Sequence, residues 1–192
     1  MLFVAEAGLL KGVDRQTMLT RPVRRENSAE HSWHLAVMAL VLGDYAPPGT
    51  DLSRVMAMLV VHDLVEVDAG DLFVYASAED QARQEAAERA AADRIFGLLP
   101  PDQAASARGL WDEFEERRTA EARFARALDR LQPVLANIQA DGGTWREHGI
   151  TADQVLTKVA LIEDGSPELG RYARDLIERA VRDGILRAPA LD

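Results

Sequence analysis

An apolar segment that ends in a cluster of ionisable residues most constrains how this chain can fold. Residues 54–61 read RVMAMLVV and continue directly into HDLVEVDAGD, which places one histidine and four carboxylates within ten residues. A helix that is apolar almost all round is typical of a central, buried position. Ionisable groups are costly to bury at its end unless they are paired or bind a cation. The segment therefore indicates either a divalent metal site or, if these carboxylates face solvent, an ordinary helix end.

Composition narrows the chemistry that such a site can have. Cysteine is absent, which excludes disulfides and thiolate metal sites. A metal must then be held by imidazole and carboxylate groups, which suit Mn, Co, Zn, Fe, Ni or Mg. The net charge of −10 repels a phosphate backbone, so we expect no nucleic-acid polymer as a partner. No apolar run approaches the ~20 residues that span a bilayer, and we expect a cytoplasmic protein without a membrane partner.

Helical signals dominate the chain, and no convincing alternating strand is found. The sequence predicts an all-α protein in which residues 1–192 form one domain. The polar, basic stretch RQTMLTRPVRREN predicts a connection interrupted by Pro22, and Pro133 predicts a kink or break within its helix. About eight helices are expected, at roughly residues 2–11, 28–46, 51–67, 77–98, 102–117 and 120–140, then from Thr151 and from Ser166.

Several helix starts carry specific capping signals. Asn27 followed by Glu30 resembles a capping box. Ser77 is a predicted N-cap for the Ala/Glu/Arg-rich helix, and Ser166 with Pro167 is a typical N-cap and first-turn pair. Gly142-Gly143 is expected to end the helix that precedes it.

Further candidate metal ligands lie on other predicted helices. His31, His34 and His62 are three of only four histidines, and they lie on helices that we expect to pack together. His34 follows His31 by one turn on the same face, so both are candidate ligands or one is structural. Asp129 stands in the apolar stretch ALDRLQPVL. It is either paired with a neighbouring arginine, Arg126 or Arg130, or a ligand from a distant helix.

These residues and two longer motifs resemble the HD superfamily of metal-dependent phosphohydrolases, most closely its 5′-deoxynucleotidase branch. RRENSAEHS, from Arg24 to Ser32, is similar to the R-x-E-N-x-x-E-H-S segment of that branch. HDLVEVDAGD, from His62 to Asp71, is similar to its H-D-x-x-E-x-x-x-G-D segment. The resemblance implies a helical HD-type bundle, commonly homodimeric. It also implies one divalent metal ion, with these ligands: His31, His62, Asp63 and Asp129.

The same resemblance implies roles for residues around the metal. Glu66 looks like the residue that positions or deprotonates the attacking water, and Asp71 like a substrate-recognition and catalytic carboxylate near the sugar hydroxyl. Arg15 is the best match to an arginine that helps to hold the substrate, but Gln16 follows it where the family often has tryptophan. Trp33 could contact a base, although core packing is favoured. His34 is expected in the core or behind the ligands.

The leading functional hypothesis is hydrolysis of deoxyribonucleoside or ribonucleoside 5′-monophosphates to nucleoside and phosphate. Hydrolysis of nucleoside triphosphates or of cyclic or signalling nucleotides is an alternative. Larger polyphosphates would need more basic residues around the pocket than the chain obviously supplies beyond one local cluster, Arg15, Arg21, Arg24 and Arg25. A non-catalytic binding module stabilised by metal is the third possibility. The run of residues 79–94 is expected to be an amphipathic helix with an exposed face or a dimer interface.

Overall fold

The computed structural model describes residues 1–20 and 23–189. It confirms the all-α prediction, because helices account for nearly all of the regular structure in that part of the chain. Three short 3₁₀ turns, Gly8–Gly12, Gly43–Tyr45 and His62–Val65, join or extend the helices. The helices are α1 (Leu2–Ala7), α2 (Ser28–Val41), α3 (Leu52–Val61), α4 (Glu66–Ala69), α5 (Ala78–Phe96), α6 (Pro101–Glu116), α7 (Ala120–Gln139), α8 (Gly143–Glu147), α9 (Ala152–Gly165) and α10 (Pro167–Arg182).

The eight expected helices are present, with two differences of detail. The helix expected over residues 51–67 is divided by the 3₁₀ turn His62–Val65 into α3 and α4. Gly142-Gly143 was expected only to end a helix, but Gly143 also begins the short helix α8. Gly142 has φ of 95°, a left-handed conformation that glycine adopts without steric cost, and it allows α8 to follow α7 at once.

The stretch between α1 and α2 corrects the expectation that the chain contains no strand. Residues Asp14–Thr20 (β1) and Val23–Asn27 (β2) pair as an antiparallel hairpin, with a register irregularity between Asp14 and Met18. The buried side chains of this hairpin are polar, Thr17 and Glu26, so hydrophobic alternation could not reveal the strands. Pro22, the expected interruption, and Arg21 lie outside the described residues.

The predicted capping signals are confirmed. The side chain of Asn27 accepts a hydrogen bond from the backbone N–H of Glu30 at 3.0 Å, and Glu30 accepts one from the Asn27 N–H at 3.1 Å. Ser77 accepts from the N–H of Asp80, and Ser166 accepts from the N–H of Leu169. Each cap satisfies a backbone donor that a helix N-terminus leaves free.

Helix α7 is the centre of the main core. It packs against α2, α3, α6 and α9, and it buries residues on most of its circumference, among them Phe124, Leu128 and Leu131. The helix continues through Pro133, so of the expected kink or break the break is wrong, and the kink stays a prediction. Asn137 donates a side-chain hydrogen bond to the Pro133 carbonyl at 2.8 Å.

The 3₁₀ turn after α3 lies between two apolar clusters. Leu64 and Val65 of this turn pack with Ile95 and Phe96 of α5 in the smaller cluster. The apolar face of α3 instead belongs to the main core around α7. The two clusters together fix the turn in which His62 and Asp63 lie. No helix in the described part of the chain is long and apolar enough to cross a membrane.

The tight contact between α7 and α9 gives a testable expectation for stability. A Cβ atom at Gly165 would lie 2.2 Å from the Arg123 carbonyl oxygen and 2.8 Å from the Ala127 Cβ. We expect Gly165→Ala to lower the free energy of unfolding by about 2 kcal/mol, because the helices must separate. Gly109→Ala on α6, where no atom lies within 4 Å, is the matched control.

Urea denaturation of both variants measures this difference. The control should be as stable as the unaltered protein, or more stable by about 0.5–1 kcal/mol, because alanine favours a helix over glycine. Equal stability of the two variants would show that α7 and α9 are not in contact through Gly165.

Candidate functional site

Four buried side chains from two helices and one turn converge at the centre of the molecule. His31 lies in the first turn of α2, where the capping box fixes the start of the helix. His62 and Asp63 lie in the 3₁₀ turn that follows α3, and Asp129 lies in the middle of α7. Each of the four is less than a tenth exposed to solvent. The fold thus brings together all four residues that the resemblance implied as metal ligands.

The donor atoms of this group lie at the separations that one cation requires. The His31 Nε2 atom is 3.1 Å from Asp129 Oδ1 and 4.0 Å from Asp63 Oδ2. The His62 Nε2 atom is 3.0 Å from Asp63 Oδ1 and 3.9 Å from Asp129 Oδ1. Donors that each lie about 2.1 Å from a shared metal ion are separated by roughly 3–4 Å. One donor atom each from His31, His62 and Asp63 also lie within 4.8 Å of one another.

The hydrogen bonding of His62 tests independently whether the site suits a metal. The His62 Nδ1 atom lies 2.9 Å from the Leu59 carbonyl oxygen, which can only accept a hydrogen bond. The Nδ1 atom must therefore carry a proton, so in the neutral ring Nε2 has a free lone pair. That Nε2 atom is buried and has no hydrogen-bond partner among the described residues. A buried, unpaired imidazole nitrogen held by a backbone carbonyl is the usual arrangement of a metal-binding histidine.

Asp129 is paired with its neighbouring arginines and also faces the two imidazoles. Its Oδ1 atom faces the two imidazoles, while its Oδ2 atom accepts a hydrogen bond from Arg126 Nη1 at 3.2 Å. The Nε atom of Arg130 lies 3.6 Å from the same Oδ2 atom. Burial alone would raise the pKa of the Asp129 carboxyl, but Arg130, the bond with His31 and Arg126 outweigh it and hold this pKa well below its usual value.

Arg15 connects the four predicted metal ligands to the two other predicted site carboxylates, Glu66 and Asp71. Its Nη1 atom donates to Asp63 Oδ2 at 2.9 Å and lies 3.7 Å from Glu66 Oε1 and 3.6 Å from Asp71 Oδ1. Burial opposes ionisation of Asp63, yet the adjacent His62 and the positive charge of Arg15 keep the pKa of this carboxyl below its usual range. Arg15 therefore lies at the candidate site, as the resemblance implied, and it is surrounded there by carboxylates.

Glu66 and Asp71 are held beside this group by separate contacts. Ser28 Oγ donates to Glu66 Oε2 at 2.5 Å, and burial together with the charge of Asp63 raises the pKa of Glu66 well above its ordinary value. Burial also raises the pKa of Asp71. Gly70, at a φ of 73°, turns the chain after α4 and brings Asp71 to the site.

Glu26 is a site residue that the sequence reasoning did not identify. It is 2% exposed, and its Oε2 atom lies 3.7 Å from the Nδ1 atom of His31. Gln132 donates to its Oε1 atom at 2.8 Å, and the same Gln132 nitrogen lies 3.4 Å from His34 Nδ1. A carboxylate behind a ligating histidine orients the ring. The sequence signal for this residue was the first glutamate of RRENSAEHS. It was missed because β2 was not recognised as a strand.

A cavity of about 280 Å³ opens beside the predicted ligands, close to the size range of small-molecule pockets. Its lining includes Gln16, Phe73, Tyr75 and Trp145. Four of the carboxylates described above also line it: Asp63, Glu66, Asp71 and Asp129. It also contains more basic side chains than the sequence obviously suggested. They come from β1, the end of α6, α7 and α9: Arg15, Arg117, Arg126, Arg130 and Lys158.

Other predicted residues lie away from this cavity. Trp33 is 68% exposed on α2 and does not line the cavity, so neither packing in the core nor contact with a base is found for it. Arg24 pairs with Glu30, and Arg25 pairs with Glu147 at 2.7 Å. The described members of the predicted basic cluster, Arg15, Arg24 and Arg25, therefore do not form a cationic site, because they bind different carboxylates.

A helical bundle that gathers two imidazoles and several carboxylates beside a cavity is typical of a metal-dependent hydrolase, and comparison with known proteins identifies its family. The family model described as HD domain matches residues 7–170. The chain therefore belongs to the HD-domain family. The predicted fold, enzyme class and family are thus confirmed.

Relatives of known name are consistent with this assignment. The chain is 31% identical over 140 residues to a protein named 5′-deoxynucleotidase HDDC2 from Xenopus laevis, an alignment that covers 71% of this chain and 67% of the relative. It is 33% identical over 136 residues to the protein of the same name from Homo sapiens, with 69% and 64% covered. The chain therefore spans about two thirds of the length of these relatives.

Solved structures share the fold. A predicted metal-dependent phosphohydrolase from Magnetospirillum magnetotacticum is 54% identical, with a TM-score of 0.93, over 98% of this chain and 94% of that chain. A conserved hypothetical protein from Pyrococcus furiosus is 22% identical, with a TM-score of 0.66, over 94% and 98%. The second likeness concerns the fold alone.

Metal binding to this group should stabilise the folded protein. At a hundredfold excess over its Kd, a ligand that binds only the native state adds about 2.7 kcal/mol. Each kcal/mol raises the Tm of a protein of this size by about 2–4 °C. We expect Mn²⁺, Co²⁺ or Mg²⁺ to raise the Tm of the chelator-treated protein. Asp129→Asn should lose most of that rise, since it removes a charged donor.

Differential scanning fluorimetry with and without each ion measures this effect. Asp175→Asn, which removes an exposed carboxylate on α10, is the matched control and should keep the full rise. An equal rise in the Asp129→Asn protein would mean that Asp129 is not a ligand.

Proposed function

We propose that this protein hydrolyses deoxyribonucleoside 5′-monophosphates to nucleoside and inorganic phosphate. The observation that carries the proposal is the free Nε2 atom of His62, within 4 Å of Asp63 and Asp129 at the edge of a nucleotide-sized cavity. The names of the relatives support the choice of substrate, because several of them are called 5′-deoxynucleotidase.

The proposed ligands of a divalent cation are His31, His62, Asp63 and Asp129. When bound, such a cation neutralises charge on the phosphoryl oxygens and makes water more acidic. Imidazole and carboxylate donors accept several divalent cations. The hydrogen bond that His62 Nδ1 donates to the Leu59 carbonyl and the carboxylate of Glu26 behind His31 orient the two rings toward the shared centre.

Glu66 is proposed to orient the attacking water and to accept its proton. Its Oε2 atom is fixed by Ser28, which leaves Oε1 directed toward the side of Arg15. The water oxygen forms the new bond to phosphorus, and the bond from phosphorus to the 5′ oxygen breaks. Asp71 is proposed to contact the sugar, beside Gln16, whose backbone N–H bonds to it.

The alternatives remain distinguishable by their products. Nucleoside triphosphates would give pyrophosphate, tripolyphosphate or a diphosphate, and cyclic nucleotides would give an opened ring. A metal-stabilised module without activity would give no product at all. The presence of Glu66 and Asp71 at the cavity supports catalysis, because metal binding for stability alone needs neither.

Phosphate release from a nucleotide panel tests the proposal. The panel contains matched deoxyribonucleoside and ribonucleoside monophosphates, triphosphates and cyclic nucleotides, each with Mn²⁺, Co²⁺ or Mg²⁺. We expect release from the deoxyribonucleoside monophosphates. Glu66→Gln should lower kcat by about 100-fold or more, because the carboxylate that accepts the proton is lost. Its metal affinity, measured by calorimetry, should change little.

The control for this variant is Glu178→Gln, an exposed position on α10. It should keep full activity. Near-normal turnover by the Glu66→Gln protein would rule out the proposed role of Glu66, and activity confined to other members of the panel would rule out the substrate.

We also propose that the protein forms a homodimer through α2. Residues 32–42 contain no Asp, Glu, Lys or Arg, although the chain carries a net charge of −10. Trp33, Leu40 and Val41 are exposed on this helix, and Val60 is exposed on the adjoining α3. A second copy can cover this neutral apolar face without bringing like charges together. Residues 79–94, the other candidate surface, expose mainly charged and alanine side chains.

Light scattering after size-exclusion chromatography tests the dimer. Leu40→Glu should give a monomer, because burying an unpaired carboxylate in the interface is unfavourable. Tyr172→Glu places the same charge at an exposed aromatic residue on α10 and should leave the mass unchanged. A dimer that persists in Leu40→Glu would exclude α2 as the interface.

Two further expectations stay predictions: that residues 1–192 form one domain, and that the protein is cytoplasmic.

A further inference from the structure

The two proposed histidine ligands are oriented by different kinds of group. The Nδ1 atom of His62 donates to the Leu59 carbonyl, an acceptor that the backbone holds in place. The Nδ1 atom of His31 is buried, and no hydrogen-bond partner for it is found in the described part of the chain. A carboxylate oxygen, Glu26 Oε2, lies 3.7 Å from this atom. The orientation of the His31 ring therefore depends on a side chain that must itself be held.

The ring proton of His31 decides whether this imidazole can bind a cation. Its Nε2 atom faces Asp129 and Asp63, on the side of the proposed metal. A neutral imidazole carries one ring proton, so Nε2 has a free lone pair only when Nδ1 holds that proton. An acceptor beside Nδ1 favours this tautomer. Glu26 Oε2, which also lies 4.0 Å from the Nε atom of Arg15, is such an acceptor, and an approach of about 1 Å would complete its bond to His31.

Gln132 holds the other oxygen of Glu26. It lies one turn after Asp129 on α7, and Gln132 and Glu26 are each 2% exposed. Its Nε2 atom donates to Glu26 Oε1 at 2.8 Å and lies 3.4 Å from His34 Nδ1. The amide nitrogen must face Glu26, because a carboxylate only accepts hydrogen bonds. His34 accepts the second N–H when its own ring proton is on Nε2, so this ring favours the same orientation of the amide.

We propose that Gln132 is a positioning residue for the metal centre: it holds Glu26, and through Glu26 it fixes the tautomer and the direction of the His31 ring. This inference rests on the metal ligands of the proposed function and adds to them the residues that orient one ligand. The negative charge of Glu26, behind the ring, also makes His31 Nε2 a stronger donor to a divalent cation. Helix α7 then acts on the centre twice, directly through Asp129 and indirectly through Gln132.

Single substitutions of the amide and the carboxylate test this set of contacts. In Glu26→Gln the new side chain can still accept from Gln132 through its oxygen, but its NH₂ group then faces His31 Nδ1 and favours the tautomer that cannot bind metal through Nε2. We expect the affinity for Mn²⁺ to fall by about tenfold or more. Gln132→Glu should also weaken Mn²⁺ binding, because two carboxylates then face each other and repel.

The double variant Glu26→Gln/Gln132→Glu restores the contacts in reverse. The amide at position 26 donates to the carboxylate at position 132, and its oxygen accepts the Nδ1 proton of His31. His34 can then donate from Nδ1 to the same carboxylate, because a neutral imidazole carries its proton on either nitrogen. We expect the double variant to bind Mn²⁺ about tenfold more tightly than Gln132→Glu does. A purely structural role for the two residues predicts instead that the two losses add.

Gln132→Met separates the orientation of Glu26 from its charge. Methionine is similar in size to glutamine and leaves the carboxylate in place, but it removes the donor. The positioning role predicts weaker Mn²⁺ binding by this variant, whereas an effect of charge alone predicts no change. Gln139→Glu introduces a carboxylate at an exposed position of the same helix and is the matched control for Gln132→Glu. It should bind Mn²⁺ as the unaltered protein does.

Titration calorimetry with Mn²⁺ and no nucleotide measures each affinity, so the result is independent of turnover. Unchanged Mn²⁺ binding in Gln132→Met, or a double variant as weak as the sum of its single changes, would overturn the inference even if monophosphates are hydrolysed. The expected losses and rescue in a protein that hydrolyses no monophosphate would support the positioning role and reject the proposed substrate. Circular dichroism of each metal-free variant ensures that folded proteins are compared.

Discussion

The burial of negative charge is the constraint on which the centre of this molecule depends. Glu26, Asp63, Glu66 and Asp129 are each less than a tenth exposed, and they lie within one region of the fold. Isolated carboxylates at such burial would be strongly destabilising. Arg15 and Arg126 offset part of this cost, and two imidazoles offer the remaining lone pairs to a cation. A bound divalent cation would therefore stabilise this arrangement best.

Helix α7 couples the stability of the fold to the chemistry of the site. Its apolar residues fill the main core, and Asp129 on the same helix contacts both imidazoles. Arg126 and Arg130 follow the helix on either side of Asp129, at spacings of three residues and one residue. One rigid element thus sets the position of a donor and of two cations. A shift of α7 against α2 or α3 would disturb the core and the centre together.

The hairpin contributes more to the site than its small size suggests. It places Arg15 on β1 and Glu26 on β2. Arg15 contacts Asp63, and Glu26 lies beside His31. Ser28, the first residue of α2, donates to Glu66 and also bonds through its N–H to the Val13 carbonyl. The hairpin and the start of α2 therefore act as one unit that closes the centre.

The sequence by itself determined the local structure and the identity of the reactive groups. Apolar periodicity, caps such as Asn27 and Ser166, and breaks at glycine and proline predicted the helices, because these signals act over a few residues. The motifs around His31 and His62 predicted which side chains carry chemistry. Only the tertiary structure decided how distant residues meet: the hairpin with its polar buried face, Glu26 behind His31, and the cations from α6, α7 and α9. Such contacts join residues tens of positions apart, and no local pattern encodes the distance between them.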